Sequence, residues 1–552
     1  MKRTSLAVLM IALALVALAA PLAYAQAPAP KVTINGLIDN VTSYSNNISN
    51  YNGGIFNRKD SMWYYRTRGR FDIIGEVGKA KGVLGLELDH VFGQAGSNDS
   101  TIVNAGAAAT TAVQTGFGTD GSFDLNTDSR GIIEIKWLYV EFPVPLIPVP
   151  TTARLGAQPF GSLANYKLAV YATGDFPGVS ITSQITPNFK FVATYVQVEE
   201  NLAGTQTKSN LGIVGSGLST QTRGDDFAYI IAPEITPFKG LDIKPMFSMF
   251  YGQGTTNGSA RAGRGGINTT TAYTMPTGDV RGGINEYRYT VGVDSRLRMG
   301  PFSLDPTVLY QFGNKAVIAP AGACTTGTQF SCSGAVPGRT YHPNMDAWLV
   351  DVRAGFQLGP LLLEALAAYS SGNGVRNNTL GTVRYFQPLD LDTGYQADWG
   401  SSLTALGIDY LNAWNEAAGR IAYPGNQIGW DKYGRLQFGA KATYAITPDL
   451  SVMGGANVHW SAEKMDRNGS VVTAGQGITP QFINPQPRES KRYIGTELMA
   501  LLTWRFAPGL AWDNQFGYMF MGPALDGVTD PALGGRNTHD PFMLTSRVRF
   551  TF

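Results

Sequence analysis

From Lys31 to Phe552 the chain repeats one pattern: about ten residues of alternating polar and apolar character, a tight turn, about ten more, then a long polar stretch. Alternation sends successive side chains to opposite faces of a strand, and a short turn between two such runs makes a hairpin. The turns are Gly78-Lys79-Ala80-Lys81-Gly82, Pro145 to Pro150, Thr186-Pro187-Asn188, Thr236-Pro237-Phe238-Lys239-Gly240, Gly300-Pro301, Gly359-Pro360, Thr447-Pro448-Asp449 and Ala507-Pro508-Gly509. Proline fixes φ and donates no N–H, so it belongs at such corners rather than inside a central strand. These eight turns alternate with nine Gly/Asn/Ser/Thr-rich stretches, at 43–60, 92–130, 160–178, 200–224, 252–284, 313–345, 371–432, 461–490 and 522–541, which together connect 18 strands with both termini on the short-turn side. Sixteen is the alternative count, and the stretches at 92–130 and 371–432 have room for strands of their own.

Each strand separates its two faces chemically. Arg66, Arg68, Arg70 and Asp72 share one parity, while Trp63, Tyr65, Phe71 and Ile73 take the other. The same split recurs with Arg288, Asp294, Arg296 and Arg298 against Tyr287, Tyr289, Val291 and Leu297, and with Arg435, Gln437 and Lys441 against Leu436, Phe438 and Tyr444. A soluble sandwich would show the same alternation with the apolar face turned inward. Three features favour a membrane instead: aromatics gather at strand ends (Trp63-Tyr64-Tyr65, Trp504, Phe506, Tyr518, Phe520), strand length suits a tilted crossing, and the last strand ends on an apolar-parity aromatic, Phe552. The expected fold is all-β: one antiparallel transmembrane β-barrel with short periplasmic turns and long extracellular loops.

The N-terminus agrees. Lys2 and Arg3 precede an apolar run from Leu6 to Ala20, and Ala23-Tyr24-Ala25 precedes Gln26. A run of about 15 residues is short of the roughly 20 that span a bilayer as a helix, and Ala-x-Ala is a cleavage pattern, so residues 1–25 are expected to be a cleaved signal peptide and 26–552 a single barrel domain. Only 15% of residues are charged against a usual ~25%, and mean hydropathy is −0.07, the mixture a half-lipid, half-water sheet requires. Beyond Lys2 and Arg3 the chain carries 41 basic and 41 acidic residues, which points away from nucleic acid. Cys324 and Cys332 lie in a Gly/Ser/Thr-rich stretch, where an oxidising periplasm would let them close a small loop; two free thiols are the alternative.

The signal peptide, the hairpin pattern over 31–552 and the terminal Arg547-Val548-Arg549-Phe550-Thr551-Phe552 together resemble the Gram-negative outer-membrane porins. The strand count is similar to their 18-stranded, substrate-selective group. The resemblance implies passive diffusion of small hydrophilic solutes or ions through a water-filled lumen. It implies as partners outer-membrane lipid and lipopolysaccharide, and the barrel-assembly machinery reading the strand that ends at Phe552. It leaves a homotrimer or a monomer as the assembly. Arg154-Leu155-Gly156-Ala157-Gln158-Pro159-Phe160 is similar to the porin strand leading into an inward-folded third loop, so 161–178, with Lys167 and Asp175, is a constriction candidate beside 372–431; an ordinary outer loop is the alternative.

A pore needs a width and a field rather than a reaction. Arg66, Arg68 and Arg70, with Arg154, Arg288, Arg296, Arg298, Arg353 and Arg435, could favour anionic solutes; alternatively Asp72, Glu87, Asp89, Glu134, Asp294 and Asp351 pair with them and knit the wall. Gly116, Gly118 and Gly121 form a GxGxxG string in a Gly-rich loop with no flanking strand and helix, so no dinucleotide site is expected. His90, His342, His459 and His539 are scattered, and no HExxH or GxSxG motif occurs, so neither an enzyme nor a resident cofactor is expected. Asp390 and Asp392 could hold Ca²⁺ or simply form a solvated acidic loop. A plugged active importer would need a large domain before the first strand, which Lys31 leaves no room for. The remaining non-transport reading is a surface barrel, an adhesin or scaffold, or a sleeve around an electron-transfer partner, distinguished by a sealed lumen.

Overall fold

The computed structural model describes residues 29–46, 61–92, 122–123, 133–164, 166–199, 226–253, 285–315, 317–318, 340–374, 381–389, 399, 433–464, 471–473, 477–479, 491–524 and 540–552. The expected signal peptide, Cys324, Cys332, Asp390 and Asp392 lie outside them.

Eighteen strands form the wall: β1 (Lys31–Asn46), β2 (Ser61–Val77), β3 (Ala80–Phe92), β4 (Glu134–Pro143), β5 (Thr151–Pro159), β6 (Asp175–Thr186), β7 (Phe189–Glu199), β8 (Asp226–Ile231 continued as Glu234–Phe238), β9 (Leu241–Gln253), β10 (Asn285–Met299), β11 (Phe302–Lys315), β12 (Asn344–Leu358), β13 (Leu361–Ser370), β14 (Arg435–Thr447), β15 (Leu450–Ser461), β16 (Tyr493–Ala507), β17 (Leu510–Met521) and β18 (Phe542–Thr551). Each pairs antiparallel with its sequence neighbour, and β1 pairs with β18 from Leu37↔Thr551 to Asn46↔Phe542, closing the cylinder. Closure leaves no open edge, which an apolar bilayer core would not tolerate. Among the described residues, the two stretches with room for extra strands hold two-residue pieces, Ser122–Phe123 and Thr382–Val383, laid parallel beside β3 and β12. Pro233 sits where β8 is interrupted, as a residue lacking an N–H requires.

The outward face is apolar. Trp63 is 74% exposed, and on β18 Leu544, Val548, Phe550 and Phe552 all point out. Aromatic rings meet across strands near the long-loop end: Tyr44 lies 4.9 Å from Trp63 and 5.8 Å from Phe542, Tyr251 lies 5.0 Å from Tyr287, and Tyr310 lies 4.4 Å from Trp348. A second belt, with Trp504, Phe506, Trp512, Phe550 and Phe552, marks the short-turn end. Phe542 and Phe552 share one parity and lie ten residue steps apart. That is about 34 Å along a strand and about 26 Å upright at a ~40° tilt, close to the ~25 Å apolar band of outer-membrane barrels.

One local feature breaks the alternation. The β3–β4 register shifts between Gly85 and Leu86, a bulge that makes Lys136 and Trp137 successive inward residues. Ile133 and Ile135 face out before it, Leu138 and Val140 after it. Gly85 makes room for the inward indole: a Cβ there would meet Trp137 Nε1 at 2.1 Å.

Candidate functional site: the barrel lumen

The arginine ladder of β2 points inward and every rung is paired. Arg66 reaches Asp39 at 3.3 Å on β1, and Arg68 grips Asp89 through two 2.6 Å hydrogen bonds on β3. Glu87 is shared among Arg70 at 2.7 Å, Arg68 at 3.2 Å and Lys136 at 3.4 Å. Lys136 also meets Asp175 at 3.0 Å. The cations Arg68, Arg70 and Lys136 are thus balanced by Glu87, Asp89 and Asp175. Of the two readings of the ladder, the knitted wall is the one formed, because strand neighbours carry acids at facing positions, as in Arg68↔Asp89 and Arg70↔Glu87. Asp72 is the exception: it accepts a hydrogen bond from Trp137 Nε1 at 2.8 Å rather than pairing with an arginine.

The other expected lumen cations follow suit. Arg154 binds Glu141 at 2.6 Å, Arg353 binds Asp351 at 3.1 Å, and Arg298, half exposed at the short-turn end, binds Asp305. Arg288 bonds Glu286 and Gln387, both at 2.8 Å, and lies over the Phe250 ring. Arg296 stacks 4.3 Å above Tyr166. Arg435 is buried, with its backbone N–H donating to Ser370 Oγ at 3.0 Å.

Between β5 and β6 the chain turns into the barrel as a short helix α1 (Gly161–Ala164) and a 3-10 turn over Lys167–Val170. Leu168, Val170 and Tyr171 are fully buried. Lys167 Nζ donates to Asp294 Oδ1 at 2.8 Å, its backbone N–H reaches Oδ2 at 3.3 Å, and Tyr171 Oη donates to Ser248 Oγ at 2.7 Å. The second candidate enters too: Leu389 N–H donates to the Tyr171 carbonyl at 2.8 Å, and the Gln387 backbone exchanges hydrogen bonds with the Gln311 side chain at 2.6 and 2.8 Å. The inward segment is shorter than the 161–178 expectation, because β6 starts at Asp175 and carries that carboxylate on the wall.

Both segments share one apolar cluster inside the barrel. Phe160, Leu163, Leu168, Phe386, Leu389 and Trp399 pack against inward-facing Val196, Ile230, Met246, Leu309, Leu349 and Leu366. At this height one side of the lumen is therefore filled with side chains rather than water. The barrel is wide enough to need such filling, since an 18-stranded wall leaves a channel that its own side chains do not close. Tyr166, between the Arg296 and Lys244 cations, has its hydroxyl pushed up to about 12 by burial, with Glu234 and Asp242 adding to the effect.

The sequence points to the inward arginines but not to Asp39, which pairs with Arg66, or Glu141, which pairs with Arg154, nor to the lumenal aromatics Trp137 and Tyr139 and the apolar inner wall. Among the described residues no cluster of His, Cys, Asp and Glu is arranged to hold a metal.

No known protein family matches the chain, and no curated protein matches its sequence. Its fold is similar to several solved structures. Acinetobacter baumannii OccAB1 is 11% identical, covers 94% of this chain and 96% of its own, and gives a TM-score of 0.45. The BenF-like porin from Pseudomonas fluorescens Pf-5 is 10% identical, with 95% and 98% covered and a TM-score of 0.43. The outer membrane protein OprD from Pseudomonas aeruginosa is 8% identical, with 94% and 93% covered and a TM-score of 0.43. At such identities and scores they assign no role to any residue of this chain.

Proposed function

We propose that the chain is an outer-membrane porin of a Gram-negative bacterium, giving passive diffusion of small hydrophilic solutes or ions, and that it transforms none of them. One observation carries this: the closed barrel is inside-out, with two aromatic belts about a bilayer's apolar thickness apart on the outside and charge pairs with an infolded loop on the inside. An apolar exterior of this extent needs lipid, and a wall this wide encloses space that only chain or water can occupy. Lipopolysaccharide and phospholipid are the expected surroundings. The strand ending at Phe552, whose N–H and C=O pair with Gly36 at 3.0 Å, is the expected handle for the barrel-assembly machinery, and a homotrimer the expected assembly.

The test is single-channel recording of the purified barrel in planar bilayers, with reversal potential under a KCl gradient. Steps of stable size, with only modest ion preference because the ladder is paired, support the reading. A silent barrel refutes it and leaves the scaffold or sleeve.

A further inference from the structure

Beneath the infolded loop lies a cavity of about 250 Å³ bounded by β4 to β8. That is room for about eight waters at ~30 Å³ each, near the small end of ligand pockets. We propose that it is a subsite for a small uncharged polyhydroxylated ring, of the size and chemistry of a monosaccharide or cyclitol; this rests on the porin reading above.

The cavity lining mixes two chemistries. Phe160, Phe176, Val192 and Ile230 supply apolar surface, and the two phenyl rings lie 4.0 Å apart. A ring whose C–H bonds project from its faces can lie on that surface. The same lining carries the hydroxyls of Thr152, Ser180, Thr182 and Thr194. The three threonines make no side-chain hydrogen bond among the described residues, and Ser180 Oγ donates to Gln158 Oε1 at 2.8 Å, which leaves the oxygen free to accept.

The two charges in the lining are bonded to each other. Arg154 Nε and Nη2 both donate to Glu141 Oε2, at 2.9 and 2.6 Å, and the guanidinium lies 4.6 Å over Tyr139. Lys81, outside the lining, holds the other Glu141 oxygen at 2.8 Å. Arg154 Nη1 has no hydrogen-bond partner among the described residues and lies beside Gly161, where a Cβ would come within 3.5 Å of it. A solute carboxylate would have to displace Glu141 or sit against it, a like-charge contact. A hydroxyl can accept from Nη1 and donate to the Glu141 carboxylate or a threonine, with no charge to compensate. A site with matched donors and acceptors selects strongly against solutes that leave them unpaired.

The experiment uses the full purified barrel. Methyl β-D-glucopyranoside and benzoate are titrated as probes, with equilibrium binding followed by saturation-transfer NMR and transient block of single-channel current followed in bilayers. The expected result is that the glucoside binds and blocks at least tenfold more tightly than benzoate, and that Ser180→Ala with Thr182→Val lowers glucoside affinity about tenfold while the folded spectrum is retained. Benzoate binding as tightly as the glucoside, or no glucoside binding, overturns the proposal. Binding without conductance sinks the porin reading alone; conductance with neither binding nor block sinks the subsite alone.

Discussion

Replacing Lys167 with methionine tests how the infolded loop is held. Lys167 and Asp294 are 9% and 0% exposed at their side chains, and their 2.8 Å contact joins the loop to β10. Without the ammonium, Asp294 keeps as hydrogen-bond donors the Thr307 hydroxyl and the residue-167 backbone N–H. Leaving a buried carboxylate short of its partner costs about 3–5 kcal/mol. What remains to hold the loop is the burial of Leu168, Val170 and Tyr171, worth about 1.5–3 kcal/mol each, and the Tyr171 hydrogen bonds. A loss of that size shifts the docked–undocked balance by about two to four decades, enough to make excursions visible. Lys167→Met should therefore give larger, noisier single-channel steps, with the barrel's thermal unfolding little changed because no ladder hydrogen bond is touched. Lys167→Met with Asp294→Asn should be quieter than the single variant, since no uncompensated charge is left. Steps identical to the parent's in Lys167→Met, or effects of the two changes that simply add, would refute the latch.

Three further expectations follow from the same geometry. Glu87→Gln removes the carboxylate shared by Arg68, Arg70 and Lys136, so the reversal potential under a KCl gradient should move toward anion preference; no movement would mean the ladder does not face the ion path. Leu498→Arg places a cation on the 44% exposed outward face of β16 and should destabilise the barrel by about 2–4 kcal/mol in lipid if the site lies near mid-depth, measured by reversible urea unfolding in vesicles; an unchanged midpoint would place that face out of lipid. Tyr166 stays neutral until about 12 while an unfolded tyrosine ionises near 10, so its contribution to loop docking is complete below pH 10 and is lost as pH rises from there to about 12. Channel noise should rise over that window in the parent and follow a different curve in Tyr166→Phe; noise growing between pH 6 and 9 in the parent only would contradict it.

The wall was legible in the sequence because its rule is local. Alternation and turn residues placed all 18 strands, and the inward parity of Arg66, Arg68 and Arg70 followed from spacing alone. What sits opposite those arginines depends on register between strands: Glu87 and Asp89, just across the Gly78–Gly82 turn, are among the acids expected to pair with them, whereas Asp39 on β1 cannot be matched to Arg66 by period. Parity is not readable through Lys136, because a bulge adds one residue and flips the face: Trp137 and Tyr139 then line the lumen where unbroken counting from Ile133 and Ile135 would send them outward. The apolar inner wall was hidden for another reason. Leu309, Leu349 and Ile230 are inward hydrophobics in a barrel expected to hold water, and their reason lies in Leu168 and Phe386, far away in sequence. A lone leucine on a polar face carries no signal until the loop that covers it is placed.

The seam between β1 and β18 bears on how such a wall can be assembled. All other wall pairings join strands adjacent in the chain, so each new strand can add to the one just laid down at the entropy of closing a single loop. The Ser43–Thr545 hydroxyl contact, at 2.9 Å, spans 502 residues. On a loop-closure scale growing as (3/2)RT ln n, that costs about 2–3 kcal/mol more than a hairpin with a thirty-residue loop. The penalty is modest because it grows only logarithmically, and it falls further when the intervening strands already curve. Until that last stitch is made, β1 and β18 present two unpaired edges. Assembly is therefore a cheap zipper with one late, irreplaceable step, and a chain halted just before it exposes the most adhesive surface it will ever have.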